Sequence, residues 1–357
     1  MIEVFANGLK FGHWTAVNIT RSLGNIAAGF NLSLINPSGL GERVRLFSGD
    51  LVEIDVNGIG LLKGFVGPLS VGFGNGSETL SVNGYEMTCD LVDCCSTKQL
   101  EWSVKNAGNI VSDICSEFYV NFYNPQNVDF GKPIESFSID PGTKAVDAIA
   151  KICRVRGLLP CSNGMGKVFV IKPSDCPRGP KLVQGGNIVS ASATYNSNAL
   201  YSDYYVYGSG KAKKKIQAHR HDPSVRTRPL VILDTDAVDK NSVEARADWE
   251  LSIRRARGIT YNVSLKGWMR DDNHVWEPGL ICSIDAPALL VDDPVDMLVS
   301  KVNYSFDVSN GENVALTLVP VDSFEPAPEE IKPKANKSKS KAVNVWKQIK
   351  NAVQNGK

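Results

Sequence analysis

The chain has 357 residues, 43% of them apolar and 22% charged, with a formal charge of +1. That length holds two or three domains with real cores, and the near-neutral balance argues against a dedicated polyanion binder, which carries a basic excess. No apolar run nears the roughly 18 residues of a membrane span, and the opening MIEVFANGLKF lacks the regions of a signal peptide, so no stable membrane insertion is expected and synthesis stays in the cytoplasm.

In chain order, residues 1–95 read as an all-β module. LVEIDVNGIGLLKGFVG sets Asn57-Gly58 between two apolar runs, a strong hairpin signal. Asn75-Gly76 marks a second turn, with Leu80 and Val82 alternating beyond it. Residues 96–180 read as a small α+β unit. Ile110, Val111, Ile114, Cys115 and Phe118 fall on one face of a helix. A second helix runs from Thr143 as cap, through Val146, Ile149, Ala150 and Cys153, to a stop at Gly157. The strands LLPCS and KVFVIKP follow.

Residues 181–325 return to β-character, interrupted over 211–258 by a basic loop and a helix. That helix carries a capping box from Asn241 to Glu244 and an apolar face of Ala245, Trp249, Ile253 and Ala256. Residues 326–357 read as a Pro- and Lys-rich flexible linker ending in an amphipathic helix. There Ala342, Val345, Trp346, Ile349 and Val353 form one stripe, and Lys341, Lys347 and Lys350 lie mostly off it. So short a helix is marginal alone and needs a surface. Its own domain and a partner's surface remain open alternatives, with a membrane surface behind them.

The two β-regions look like copies. SGDLVEID lines up with PGLICSID, setting Gly49 on Gly279 and Asp55 on Asp285. The strand opened by Asn75-Gly76 matches the one opened by Asn310-Gly311. In the stretch RDDNHVWEPGLICSID, Trp276, Pro278 and Gly279 then mark the turn into a half-buried strand, and Asp271, Asp272, Asn273 and His274 a hairpin tip, where such residues suit the backbone.

Catalytic constellations are missing. Eight scattered cysteines form no CxxC pair and read as reduced, mostly buried thiols. His219 and His221 could share one side of a strand, without a recognisable third ligand. GSGKAKKK lacks the Ser or Thr of a phosphate loop, so Lys211, Lys213, Lys214 and Lys215 read as a solvated basic loop. Asp292-Asp293, followed by Pro, reads as a loop. No cofactor or metal is expected.

The order of units, with GWMRDDNHVWEPGLICSIDAP and MLVSKVNYSFDVSNGENVALTLVP in the second β-module, resembles the baseplate hub (late-control) tail proteins of Mu-like contractile phages and prophages over about residues 1–325. The markers are Gly267-Trp268, Trp276 to Gly279 and the strand pattern from Asn310. The resemblance implies a mainly β fold of two related tail-tube-type β-barrel modules, with the α+β unit and the C-terminal helix added. It implies a non-enzymatic virion component of the tail baseplate, a homotrimer forming a pseudo-six-fold ring. Tail tube, spike and other baseplate proteins are the implied partners, and DNA passes transiently through a channel. In that picture the basic loop Lys211–Lys215 faces the channel, the stripe of Val345, Trp346, Ile349 and Val353 docks on a partner, and any spike is a separate chain. A cell-wall glycan hydrolase and a receptor- or glycan-binding tail module are the competing readings.

Overall fold

Period-two alternation shapes the first module. Its strands are β1 (Ile2–Ala6), β2 (Leu9–Phe11), β3 (Trp14–Ser22), β4 (Asn25–Pro37), β5 (Leu51–Val56), β6 (Ile59–Gly74) and β7 (Ser77–Glu86). The computed structural model describes residues 2–11, 14–37, 46–74, 77–208, 216–234, 237, 239–291, 293–325 and 327. Asn57-Gly58 forms the expected two-residue hairpin: Val56 pairs with Ile59 and both turn residues are left-handed, at φ 50° and 77°. Asn75-Gly76 lies outside the described residues. In β7, a Cβ at Gly84 would sit 2.1 Å from the Phe30 ring, so glycine is what lets that ring pack across the strand.

At the end of the first stretch α1 (Cys89–Asp93) sends Leu91 into the core of the α+β unit. The unit itself contains β8 (Glu101–Lys105), α2 (Ala107–Glu117), β9 (Asn121–Tyr123), β10 (Ile134–Ser138), α3 (Ala145–Val155), β11 (Leu159–Ser162) and β12 (Lys167–Ile171). Asn106 caps α2 by accepting the Gly108 N–H at 2.9 Å, and Ile110, Val111, Ile114 and Cys115 are buried as the spacing implies. The second helix differs from expectation. Its cap is Lys144, which offers no side-chain acceptor, and Ala145, Ala148, Ile149, Ile152 and Cys153 are the buried residues. Val146 and Ala150 are only half-buried. The period was right, but its phase is turned by one residue.

Next come β13 (Leu182–Val183), β14 (Ser190–Tyr195), β15 (Asp203–Gly208), β16 (Ile216–His221), β17 (Pro229–Asp234), α4 (Lys240–Arg257), β18 (Ile259–Lys266), β19 (Ile281–Asp285), β20 (Val295–Asp307) and β21 (Gly311–Val319). The interruption is larger than 211–258, because β15, β16 and β17 form a separate three-stranded sheet. That sheet packs Val206 and Ala218 on Val243 and Ala247 of α4. The helix starts earlier than expected. Asp239 is the cap and Ser242 completes the box, so a short acid takes the role assigned to Asn241 and Glu244. Val243, Ala247, Glu250, Ile253 and Ala256 are buried, Ala245 is exposed and Trp249 is half-buried.

Topology makes the two β-regions equivalent. Strands β3, β4, β5, β6 and β7 lie in the spatial order β3-β4-β7-β6-β5, and β14, β18, β19, β20 and β21 in the order β14-β18-β21-β20-β19. Gly49 and Gly279 have φ 94° and 90°. Gly49 donates to Val66 O at 2.7 Å and Gly279 to Val299 O at 2.9 Å, while Val66 and Val299 donate back to Asp50 O and Leu280 O. Both copies thus open on a left-handed glycine followed by the same reciprocal pair.

The copies are joined strand to strand. β20 runs antiparallel to β21 along its length, to β19 at its start and to β3 over Lys301–Asp307. The result is one 13-stranded sheet. The two expected modules are therefore present, fused edge to edge, whereas the expected barrel closure is not detected among the described residues. They share one core, from Val4 and Ile19 to Trp268, Tyr304 and Leu318. Trp268 is fully buried, stacks edge-on against Tyr304 and donates its indole N–H to Ser305 O at 3.0 Å, satisfying its one polar group.

Candidate functional site: the interdomain junction and the exposed faces

The stretch Arg270 to Asp285 is a corner of the sheet. Arg270 N–H donates to His274 O at 2.7 Å, and Asn273, at φ 62°, donates to Arg270 O at 3.1 Å, which closes the hairpin. His274 is open to solvent, with Nδ1 3.5 Å from Asp272 Oδ1. Trp276 is buried, Pro278 and Gly279 are half-buried, and Leu280, Cys282 and Ile284 face the main core. Ile281 is also buried, against Leu23, Cys161 and Leu298, so this strand starts buried on both faces and not on one. Asp55 and Asp285 are both half-buried. Burial, with Glu53 and Glu3 nearby, raises the Asp55 carboxyl above its ordinary value.

Behind this corner lies a buried ionic junction that joins all three units. Arg21 continues the inward face of Val17 and Ile19, and Glu86 continues that of Leu80, Val82 and Gly84. Arg21 is 5% exposed and Glu86 0%. The Arg21 guanidinium reaches Glu277 Oε1 at 3.4 Å and Ser162 O at 3.5 Å. Glu86 accepts the N–H groups of Ala28 and Gly166, each at 3.2 Å, and a short bond from the Ser162 hydroxyl. The β11–β12 turn is thereby plugged into the first module, and Lys63 N–H donates to Gly164 O at 2.8 Å. Gly164 sits at φ 84°, and a Cβ there would fall 2.4 Å from Leu61 O.

The electrostatics follow from burial. Burial opposes the Arg21 charge, but Tyr304, Glu277 and Glu86 outweigh it and hold the guanidinium above its ordinary value. Burial raises the Glu86 carboxyl, against the pull of Ser162, the Ala28 N–H and Arg21. Such a network rigidifies when every member is paired, and here it locks three units with groups from each. Sequence reasoning missed it. The available signal was a charged residue standing in the inward register of an otherwise apolar strand, at Arg21 and again at Glu86.

The structure does not gather the remaining candidates into a site. His219 Nε2 and His221 Nδ1 each lie 2.9 Å from Asp203 Oδ1 on the exposed face of the side sheet. Bonds from Ser202 and the two imidazoles hold Asp203 at about 2. Among the described residues, no group of three His, Cys, Asp or Glu is arranged to hold a metal ion. Cys115, Cys153, Cys161, Cys176 and Cys282 are buried, and Cys94 is exposed. Asp293 is exposed. Asp292, His13, Lys211 to Lys215, Val345, Trp346, Ile349 and Val353 lie outside the described residues. No helix among the described residues is long and apolar enough to cross a membrane.

Three family models match the chain in succession: the N-terminal domain of Mu phage baseplate assembly protein GpP-like proteins over 1–86, the second domain of baseplate hub protein gp44-like proteins over 88–172, and the fourth domain of Mu phage baseplate assembly protein GpP over 239–327. The chain is 25% identical over 338 residues to baseplate hub protein gp44 of Escherichia phage Mu, covering 90% of this chain and 88% of that one. Its fold is similar to the 43 kDa tail protein of prophage MuSo2 from Shewanella oneidensis, with a TM-score of 0.81 and 21% identity over 90% of this chain and 98% of that one. It is also similar to a tail protein from Neisseria meningitidis MC58, with a TM-score of 0.75 and 18% identity over 92% and 98%.

Proposed function

Because the chain belongs to the baseplate hub proteins of Mu-like phages, and is a structural part of the virion tail, we propose that it is the homotrimeric adaptor between tail tube and spike. The observation that carries this reading is the fused pair of modules with one strand order. Three chains with two equivalent modules each present six similar units on a three-fold axis. A six-fold tube can meet one face of such a ring and a three-fold spike the other. Closed cyclic assembly of this kind needs large, partly apolar interfaces.

In this reading residues 1–95 and 181–325 are the two tail-tube-type modules, and 96–180 is a side domain braced by the Arg21–Glu86 junction. Residues 326–357 are a linker and docking segment. Lys211, Lys213, Lys214 and Lys215 face the channel, where a mildly positive lumen touches passing phosphate. The segment with Val345, Trp346, Ile349 and Val353 recruits the spike or another baseplate protein. The chain performs no catalysis, holds no cofactor and assembles in the host cytoplasm. Light scattering across a range of concentrations tests the core of the proposal. A constant mass near three times 38.8 kDa supports the ring. A monomer that stays monomeric with tube and spike proteins present refutes it. Charge reversal at the basic loop with unaltered DNA delivery removes the channel role. Deletion of 326–357 with unaltered spike and tube incorporation removes the recruiting role.

A further inference from the structure

The sequence places Val146 and Ala150 in the apolar stripe of α3, yet the fold leaves both half-buried. They form one wall of a cleft of about 650 Å³, a size that suits a bound side-chain cluster or ligand. Val92 and Leu158, Leu23 of the β3–β4 turn and Trp249 of α4 also line the cleft. Three guanidiniums, of Arg154, Arg246 and Arg257, also line it. Arg246 is held by Glu250 at 2.8 Å, whereas Arg257 is exposed.

The chain itself runs through this cleft. Trp249 Nε1 donates to Glu325 O at 2.8 Å and Ser252 Oγ to Asp322 Oδ2 at 2.9 Å, which pins the segment after β21 against α4. Ser323, Phe324, Glu325 and Ala327 line the cleft. The Ser323 hydroxyl is buried with no hydrogen-bond partner, a group that is costly to leave unpaired. The next residues in sequence include Glu329 and Glu330, of opposite charge to the cleft arginines. Beyond the stretch 328–341 comes the stripe of Ala342, Val345, Trp346, Ile349 and Val353. A coil of that stretch's length reaches roughly 20 Å, enough to return to the cleft it leaves.

We propose that in the free chain the segment 342–353 folds as a helix into this cleft, laying Trp346 and its apolar neighbours against Val146, Ala150 and Trp249. The lysines, off the stripe, stay in water, away from the cleft arginines. Tethering makes docking intramolecular, so a contact too weak for two separate molecules suffices. The inference stands independently of the trimer and of the recruiting role. If that role also holds, a partner must first withdraw the segment.

Hydrogen–deuterium exchange on the full chain tests it. Docked, the amides of 342–353 exchange at least about tenfold more slowly than in a free peptide of that sequence, at every protein concentration. The Val146→Glu variant puts an acid in the first turn of α3, where the helix dipole favours it, and abolishes the protection. Ala150→Glu does the same, and unchanged exchange within α3 in either variant shows the fold intact. Exchange of 342–353 at the free-peptide rate overturns the proposal. So does protection that survives both substitutions, and so does protection lost on dilution, which would assign the cleft to a second copy.

Discussion

Replacing Arg21 with methionine isolates what the buried junction contributes. Methionine keeps the aliphatic bulk and removes a charge that is 5% exposed, leaving Glu86, at 0%, without a cationic partner. Glu277 loses less, since its side chain is 51% exposed and water replaces the contact. Arg21 acts on Glu86 through space, and Glu86 keeps its bonds from Ala28, Gly166 and Ser162. Removing the guanidinium should therefore cost about 1–3 kcal/mol, the scale for a buried charged group that loses one of its partners. The sign with pH follows from the same source. Burial already raises the Glu86 carboxyl, and losing Arg21 raises it further. Its contribution is complete below the unfolded value of about 4.3 and disappears as pH rises through the folded value. The deficit of Arg21→Met should therefore shrink on going from pH 8 to pH 5 by at least about 1 kcal/mol. Adding Glu86→Gln should recover much of the loss. Urea unfolding of wild type, both single variants and the double variant at the two pH values measures the cycle. A deficit that ignores both pH and Glu86→Gln would show that packing, not the stranded carboxylate, sets the cost.

Other outcomes follow from features of the same kind. Gly49→Ala and Gly279→Ala should each cost about 1–2 kcal/mol, and nearly equally, since neither Cβ meets a close neighbour and both φ values are left-handed. Unequal melting shifts would count against equivalent modules. Asp222, bonded to Arg255 Nε at 2.6 Å and to Ser224, is held well below the usual carboxylate range, by Arg255 first. Its stabilisation is present above the unfolded value near 3.9 and lost as pH falls through the folded one. Asp222→Asn should thus destabilise the side sheet at pH 7 and lessen its acid sensitivity, read by exchange in β15 and β16. Cys94, an exposed thiol, should react promptly with an alkylating reagent at pH 7.5. Burial raises Cys115 and Cys282 to about 12, and burial with Asp90 and Asp93 raises Cys89 to about 11; prompt labelling of any of these, by mass spectrometry, would contradict the geometry.

Much of the fold was legible because its signals are local. Asn57-Gly58 specifies its turn by backbone conformation alone, and the stripe of α2 specifies its buried face by period alone. The phase errors at α3 and α4 have other causes. At α4, Asn241 and Asp239 have comparable capping merit and only tertiary contact decides between them, whereas at α3 the helix starts at Lys144, past the better capper Thr143, with no side-chain cap at all. The side sheet was read as starting too late because Tyr204 and Val206 alternate as a core strand does; nothing in that pattern says which layer covers it. The duplication was visible through Gly49 and Gly279, whereas the seam was not, since β3 pairs with β20 across nearly the whole chain. The Arg21–Glu86 junction draws on five segments, and no spacing rule links them.

The seam has a bearing on how the molecule yields. Tandem domains commonly keep a linker about which each can rock and from which each can melt alone. Here Lys301–Asp307 is bonded on one side to β21 and on the other to β3, so fraying either half strips partners from the other. The two copies behave as one cooperative unit with no hinge between them. A twist applied to the first module is passed to the second through backbone hydrogen bonds, with no slack to absorb it.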